Sequence, residues 1–231
     1  MKIETSLLED FLKKARMSEI ESCLLQFDED GLRIKTFSTA NTHHVNALLP
    51  KDSFKEYQAV GNAGVDDLSN LIKVFKRLGK ELEFSIEGNL LTAKGNKKEL
   101  QFELVDEKFI DKARDLNEMS HDPKATIPAK QFNDFLNDTQ MNKDTTIYIE
   151  TVDGGVKLYN TGKYKFKYNI DSEGTTAGEK VKFGEPIINA LGELKEGNLV
   201  FHLKSDYPIL VDYKTEKYNM QFLVAPHVEQ Q

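Results

Sequence analysis

The chain has 231 residues, a mass of 26.3 kDa and a formal net charge of −7, which fits two compact domains and excludes proteins that hold nucleic acid by overall positive charge. Its one cysteine, Cys23, excludes an internal disulfide and a thiolate zinc cluster. No apolar run approaches the length of a membrane span. These features indicate a folded intracellular protein whose contacts with DNA, if any, are local.

The chain begins with a short strand followed by an amphipathic helix. Ser6 and Glu9 have the spacing of a capping box, which predicts a helix over residues 6–17. Apolar residues between Leu7 and Ala15 fall on one face of this helix. The residues predicted to point outward from the other face are Lys13, Lys14 and Arg16.

A second amphipathic helix is predicted over residues 66–80. It begins near Asp66 and Asp67 and ends at Gly79, where a glycine just after the helix is expected. Its outward face carries Lys73, Lys76, Arg77 and Lys80.

The second half of the sequence repeats features of the first. Residues 9–12 (EDFL) match residues 133–136 (NDFL), and residues 29–34 match residues 153–158 at the same spacing. Matches in a consistent order predict a duplicated domain. Two further matches follow in that order, 82–86 with 199–203 and 100–102 with 220–222.

Each copy reads as a strand, a helix, several strands, a second helix and three strands, with the alternation typical of half-buried antiparallel strands. Pro128 and Pro186 are predicted to open the two helices of the second copy. The predicted fold class is α+β. The predicted boundaries are domain 1 over 1–105, a connecting loop over 106–123 and domain 2 over 124–231.

Residues 163–170 alternate most clearly and predict an exposed strand. One interpretation is an edge strand whose lysines prevent aggregation; the other is an edge that pairs with a second subunit. The residues predicted to share one face are Tyr164, Phe166, Tyr168 and Ile170, with Lys163, Lys165 and Lys167 on the other.

Local patterns identify a family. Residues 205–213 (SDYPILVDY), followed by residues 222–226 (FLVAP), resemble the C-terminal pattern of the PCNA family of DNA sliding clamps. Residues 40–45 (ANTHHV) are similar to the loop and strand in which that family places a His-Val pair beneath its partner-binding pocket. The resemblance implies two tandem clamp domains per chain, with antiparallel sheets outside and helices lining a ring.

The resemblance also implies the function. A clamp of this family is a DNA polymerase processivity factor that encircles duplex DNA as a homotrimeric ring, tethers replication and repair enzymes and is opened by an ATP-dependent clamp loader. The residues implied to face DNA are Lys13, Lys14, Arg16, Lys73, Lys76, Arg77, Lys80, Lys143 and Lys195.

Two further surfaces are implied by the resemblance. The pocket for the short clamp-binding motif of polymerases and other partners would use Ala40, His44, Val45, Leu116, Met119, Pro208, Leu223, Ala225 and Pro226. The joint between subunits would pair residues 163–167 with residues 97–105 of the next chain, using Glu99, Phe102, Glu103, Lys163, Lys165, Phe166 and Lys167.

The helices of the second copy depart from this pattern. Acidic residues outnumber basic ones over 128–141 and over 184–197. This excess of acidic residues is compatible with a divergent clamp of archaeal or viral type. It also leaves an alternative open, which is a monomeric or hetero-oligomeric processivity factor with the same fold.

No catalytic set, cofactor motif or metal site is recognisable in the sequence. His43 and His44 are adjacent, so on a strand they point to opposite faces and make a poor pair of metal ligands. The expected protein is therefore not an enzyme. Its expected location is the cytoplasm or nucleoid of an archaeal-type or virus-infected cell, or the nucleus if the source is eukaryotic.

Overall fold

A computed structural model describes residues 1–113, 124–143 and 146–227, which form two compact units. The larger part of the predicted connecting loop, residues 114–123, lies outside the described residues. Unit 1 holds the described residues of Met1–Ser38, Val45–Arg114 and Glu216–Asn219, and unit 2 holds those of Thr39–His44, Asp115–Thr215 and Met220–Gln231.

The first copy of the repeat has the predicted order of elements. Its strands pair in the orders β1-β6-β7-β8 and β5-β2-β3-β4, and single turns of 3₁₀ helix follow β4 and β8. The elements are β1 (Lys2–Glu4), α1 (Thr5–Arg16), β2 (Cys23–Phe27), β3 (Gly31–Phe37), β4 (His43–Pro50), β5 (Gly61–Val65), α2 (Leu68–Arg77), β6 (Glu81–Glu87), β7 (Leu90–Gly95) and β8 (Lys98–Glu103).

The second copy repeats the first element by element. Its strands pair in the orders β9-β14-β15-β16 and β13-β10-β11-β12, which are the orders of the first copy at matching positions. The predicted duplication is therefore confirmed. The elements are β9 (Ala125–Pro128), α3 (Ala129–Thr139), β10 (Thr146–Val152), β11 (Gly155–Thr161), β12 (Lys167–Asp171), β13 (Lys180–Phe183), α4 (Pro186–Leu191), β14 (Asn198–His202), β15 (Ile209–Lys214) and β16 (Asn219–Val224).

Helices α1 and α2 bury their apolar faces in the core of unit 1. Phe11 of α1 and Phe75 of α2 are almost completely inaccessible to solvent. The ring of Phe84, on β6, lies 6.1 Å from that of Phe75 and 5.9 Å from that of Phe27 on β2. Since burial of one aromatic side chain contributes roughly 2–3 kcal/mol, this cluster fixes α2 against strands of both sheets.

The predicted ends of α2 agree with the structure, whereas the predicted start of α1 does not. Asp67 caps α2 by accepting a hydrogen bond from the Asn70 amide at 2.7 Å, and Gly79 follows the helix with φ +101°, as predicted. The predicted capping box at Ser6 is wrong. Helix α1 begins one residue earlier, after Glu4, and the Ser6 hydroxyl donates to the Glu4 carboxylate instead.

In unit 2, Pro128 precedes α3 and Pro186 occupies the first turn of α4, as predicted. The Asn133 amide of α3 donates to the Gly192 carbonyl just after α4, which ties the two helices together. Phe132 packs edge-on against Phe201 of β14 with the ring centroids 5.2 Å apart. Both helices therefore lie on the unit 2 core.

The predicted strand over residues 163–170 begins only at Lys167. The side chain of Asn142 contacts the Tyr164 backbone at 2.7 and 2.8 Å, and the Asn160 side chain accepts from the Phe166 amide at 2.7 Å. These side-chain amides replace ladder hydrogen bonds, which explains why the alternating pattern forms a loop here.

None of the helices in the described ranges has the length and apolar character needed to cross a lipid bilayer.

Candidate functional site

The polar faces of α1 and α2 lie side by side in unit 1. Glu21, between α1 and β2, joins them: its carboxylate pairs with the Arg16 guanidinium and accepts from the Ser69 amide at 3.3 Å and hydroxyl at 3.1 Å. Burial alone would raise the pKa of Glu21, but the hydrogen bonds from Arg16 and Ser69 hold it below the ordinary value. Glu21 therefore stays ionised and keeps Arg16 engaged.

Positive charge on this surface is concentrated on α2 and the turn after it. We name Lys73, Lys76, Arg77 and Lys80 the α2 basic face; all four side chains are exposed. The Glu9 carboxylate of α1 forms ion pairs with the ammonium groups of Lys13 at 2.6 Å and Lys76 at 3.7 Å. The other three members of the face form no ion pair with any described residue, so they are available to an anionic ligand.

The prediction that Lys14 points outward from α1 is wrong. Its side chain is only 10% exposed, it pairs with Asp10 one turn earlier, and its ammonium lies 5.6 Å from the centre of the Tyr218 ring. The Tyr218 hydroxyl donates to the same Asp10 carboxylate. Lys14 thus acts within the fold, where its aliphatic stem covers the core.

The corresponding surface of unit 2 is less positive. Exposed positions on α3 include Lys130, Asp134 and Asn137. Lys143 and Lys195 are exposed as a DNA-facing role requires, although the Lys195 ammonium lies 3.9 Å from the Glu193 carboxylate. The observed side chains therefore keep the asymmetry of charge seen in the sequence.

The predicted partner-binding residues differ in solvent exposure: some lie at the surface and others in the core. The loop Thr39–His44 joins the C-terminal segment of unit 2 through a hydrogen bond from the Ala225 amide to the Thr42 carbonyl at 2.8 Å. Ala40 is exposed, and His44, Pro208, Ala225 and Pro226 are half-buried. Val45 and Leu223 are 1% and 9% exposed and belong to the core, and the predicted Leu116 and Met119 lie outside the described residues.

The sequence did not single out Tyr207 as part of this surface. Tyr207 is 45% exposed, next to Pro208, and the Lys204 ammonium lies 4.0 Å from its ring centre. An exposed aromatic ring next to a proline offers apolar area to an extended peptide. Its position in the motif SDYP was the only available signal.

Strands β8 and β12 are sheet edges in the described structure. Glu99 and Glu103 on β8 are exposed, as are Lys163, Lys165 and Lys167 in and before β12, while Phe102 and Phe166 are half-buried. Glu99 also pairs with Lys94 of its own chain at 3.2 Å. Both edges keep backbone groups available for a further strand.

Two features bear on chemistry. Cys23 is completely buried, and burial raises the pKa of its thiol to about 12, so it is unsuited to nucleophilic attack. Within the described part of the chain, no group of three or more His, Cys, Asp or Glu side chains could hold a metal ion.

Comparison with known proteins gives relatives over nearly the whole chain. DNA polymerase sliding clamps of Methanococcus maripaludis strain C5 and of Methanococcus vannielii are 26% and 24% identical to it, each over 95% of this chain and 96% of the relative. No family model matches the sequence.

Solved structures share the fold. A PCNA of A. fulgidus, bound to the C-terminal region of FEN-1, aligns with a TM-score of 0.86 at 19% identity over 100% of this chain and 98% of that one. PCNA of Entamoeba histolytica aligns at 0.82 and 19% over 98% of each chain, and a PCNA2–PCNA3 complex of Sulfolobus tokodaii at 0.81 and 18% over 99% of each. These likenesses confirm the resemblance to PCNA-type sliding clamps and the duplicated clamp fold.

Proposed function

We propose that this protein is a DNA polymerase sliding clamp, a processivity factor that closes as a homotrimeric ring around duplex DNA and tethers replication and repair enzymes. The observation that carries the proposal is the α2 basic face, a set of exposed lysine and arginine side chains on a clamp helix of an acidic protein. The curated relatives support it, because they are sliding clamps and the alignment covers nearly their whole length.

The proposed mechanism needs no chemical step. Lysine and arginine on the helices would contact phosphates, which carry no sequence information, so the ring would slide along any duplex. Enclosure would keep a bound polymerase at a high effective concentration near the primer end. The protein would therefore act as a non-enzyme on DNA inside the cell, and an ATP-dependent clamp loader would open the ring.

Clients would bind at the C-terminal surface of unit 2. Its exposed residues Ala40 and Tyr207 and the half-buried Pro208 and Pro226 offer apolar area to a client. The A. fulgidus structure holds the C-terminal region of FEN-1, which supports a short segment of a partner as the ligand. Such a segment gains affinity by burying aromatic or aliphatic anchors.

Subunits would join through the edges of β8 and β12. Antiparallel pairing of the two edges would continue one sheet into the next, and the exposed glutamates of β8 would meet the lysines in and before β12. The ion pairs would select the correct partner edge more than they would stabilise the joint.

Light scattering after size-exclusion chromatography, at micromolar protein and moderate salt, tests the ring. A homotrimer of 26.3 kDa chains has a mass of about 79 kDa, and we expect a single species of that mass. A mass near that of one chain would contradict the self-closing ring.

A hetero-oligomeric ring is the second candidate. Acidic and neutral side chains on α3, such as Asp134 and Asn137, weaken the expected DNA lining of unit 2, and a PCNA2–PCNA3 complex shares the fold. In that case the chain alone would stay monomeric in the same experiment and would reach the trimer mass only with a second clamp chain.

A further inference from the structure

The sheet β13-β10-β11-β12 of unit 2 has one face on the core and one face toward solvent. On the core side, Ile147 and Ile149 are completely buried, and Tyr168 packs edge-on against Phe135 of α3 with the ring centroids 5.5 Å apart. Because side chains alternate along a strand, Tyr148 and Tyr159 lie on the opposite face. Both rings are therefore turned away from the helices.

Tyr148 and Tyr159 form a stacked pair on the two central strands. They are direct cross-strand partners, with ring centroids 4.9 Å apart and planes inclined by only 7°. The ammonium of Lys180 lies 5.2 Å from the Tyr148 ring centre and 5.7 Å from that of Tyr159. A hydrogen bond with Tyr159 is the main cause that raises the pKa of Lys180, so this lysine is charged at neutral pH.

Further lysines surround the pair. Lys157 lies over Tyr159 at 4.9 Å and also pairs with Glu150 at 3.2 Å. Lys167 is the cross-strand partner of Tyr159, and Lys182 is that of Tyr148. We name this surface, formed by Tyr148, Tyr159, Lys157, Lys167, Lys180 and Lys182, the aromatic-basic face.

The matching sheet of the first copy shows that the fold does not require such a face. The position of Tyr148, paired with Lys182, is taken there by Leu24, paired with Gly64. The position of Glu150, paired with Lys180, is taken by Gln26, paired with Asn62. Unit 1 therefore lacks both the tyrosine of β10 and the two lysines of β13. The aromatic-basic face is a property of unit 2 rather than of the repeat.

We infer that the aromatic-basic face binds single-stranded nucleic acid, with bases stacking against the tyrosine pair and phosphates contacting the lysines, Lys157 among them, which leaves its position over the Tyr159 ring when a base binds there. Aromatic rings on the central strands of an open antiparallel sheet, with its other face on helices, are the platform on which small RNA-binding domains stack bases. Lysines around the rings supply the backbone contacts that single-strand binding requires. An acidic peptide would use the lysines but would leave the paired tyrosines without a role.

This inference goes beyond the proposed clamp function and does not depend on ring closure. Tyr148 and Tyr159 lie on the face of their sheet that points away from α3, whereas duplex DNA in the proposed ring would contact the helices. A single strand and a duplex would therefore use opposite sides of unit 2. The expected affinity is modest and strongly dependent on salt, because most of it comes from phosphate contacts.

Fluorescence anisotropy with a labelled oligothymidylate of about 20 nucleotides tests the site at low ionic strength. We expect the double variant Tyr148→Leu, Tyr159→Leu to bind at least about fivefold more weakly than the natural protein, since stacking on each ring is lost. The variant Lys180→Gln, Lys182→Gln removes two positive charges on β13 and keeps the tyrosine pair, and we expect a similar loss with a smaller salt dependence.

The matched control is Lys73→Glu with Arg77→Glu on α2. It replaces two positive charges on a helix of unit 1 by negative ones and leaves unit 2 unchanged, and we expect single-strand affinity within about twofold of the natural value with weakened duplex binding. Unchanged single-strand affinity in both the tyrosine and the lysine variants would overturn the inference. The inference would also be overturned if polyglutamate displaced the probe as effectively as unlabelled oligothymidylate of the same charge, because the site would then recognise only negative charge.

Discussion

The double substitution Lys73→Glu, Arg77→Glu is expected to lower the affinity of the protein for duplex DNA by at least about tenfold. Both side chains are exposed and neither forms an ion pair with a described residue, so the change removes available charge without breaking a contact of the fold. Each copy of the chain in a ring would lose two phosphate contacts and gain two repulsions. Titration of a labelled duplex at several salt concentrations measures both the affinity and its salt slope.

The control for this variant is Lys51→Glu with Lys214→Glu. These lysines are also exposed, Lys51 in the 3₁₀ turn after β4 and Lys214 at the end of β15, so the net charge changes equally but outside helices α1, α2, α3 and α4. An equal loss of duplex affinity in both variants would mean that overall charge, rather than the α2 basic face, governs binding. Retained trimer mass and melting temperature would show that the fold is intact.

Reversing Lys163 and Lys165 to glutamate is expected to convert the trimer of about 79 kDa into single chains of 26.3 kDa. Both lysines are exposed next to β12, and in the proposed joint they meet Glu99 and Glu103 of the neighbouring β8. Like charges facing each other across an interface cost several kcal/mol. Light scattering at micromolar concentration measures the mass.

The compensating variant decides whether the charges truly face each other. Adding Glu99→Lys and Glu103→Lys to the reversed chain should restore the trimer, because attraction across the joint returns with opposite sign. Failure of the fourfold variant to assemble, with both double variants folded, would contradict the proposed pairing of β8 with β12.

The order of elements could be predicted because each half of the chain carries strong periodicity and clear stop signals. Asp67 and Gly79 bound α2, and the prolines at 128 and 186 precede or open helices where backbone chemistry favours them. The duplication could be predicted because matching residues recur in order. Such signals depend only on residues close together in the chain, so they can be recognised without the three-dimensional structure.

Two of the errors came from contacts with residues outside the predicted element. Lys14 is on the polar side of α1 by periodicity, yet Tyr218, more than two hundred positions away in the chain, covers it. The alternating pattern of residues 163–166 predicts a strand, yet Asn142 and Asn160 take over its backbone hydrogen bonds. The aromatic-basic face was missed for a related reason. Tyr148 and Tyr159 are adjacent only through the register of β10 with β11.

Retention on DNA with blocked ends tests, without a clamp loader, whether the ring encloses the duplex. The protein is first allowed to thread onto a linear duplex carrying biotin at both ends, streptavidin is then added to close the ends, and the complex is washed at high salt. Phosphate contacts alone are lost at high salt, whereas a closed ring has no way off. We predict that the protein stays on the blocked duplex and leaves when one restriction cut opens it. Loss from blocked and open duplexes at the same rate would contradict the account.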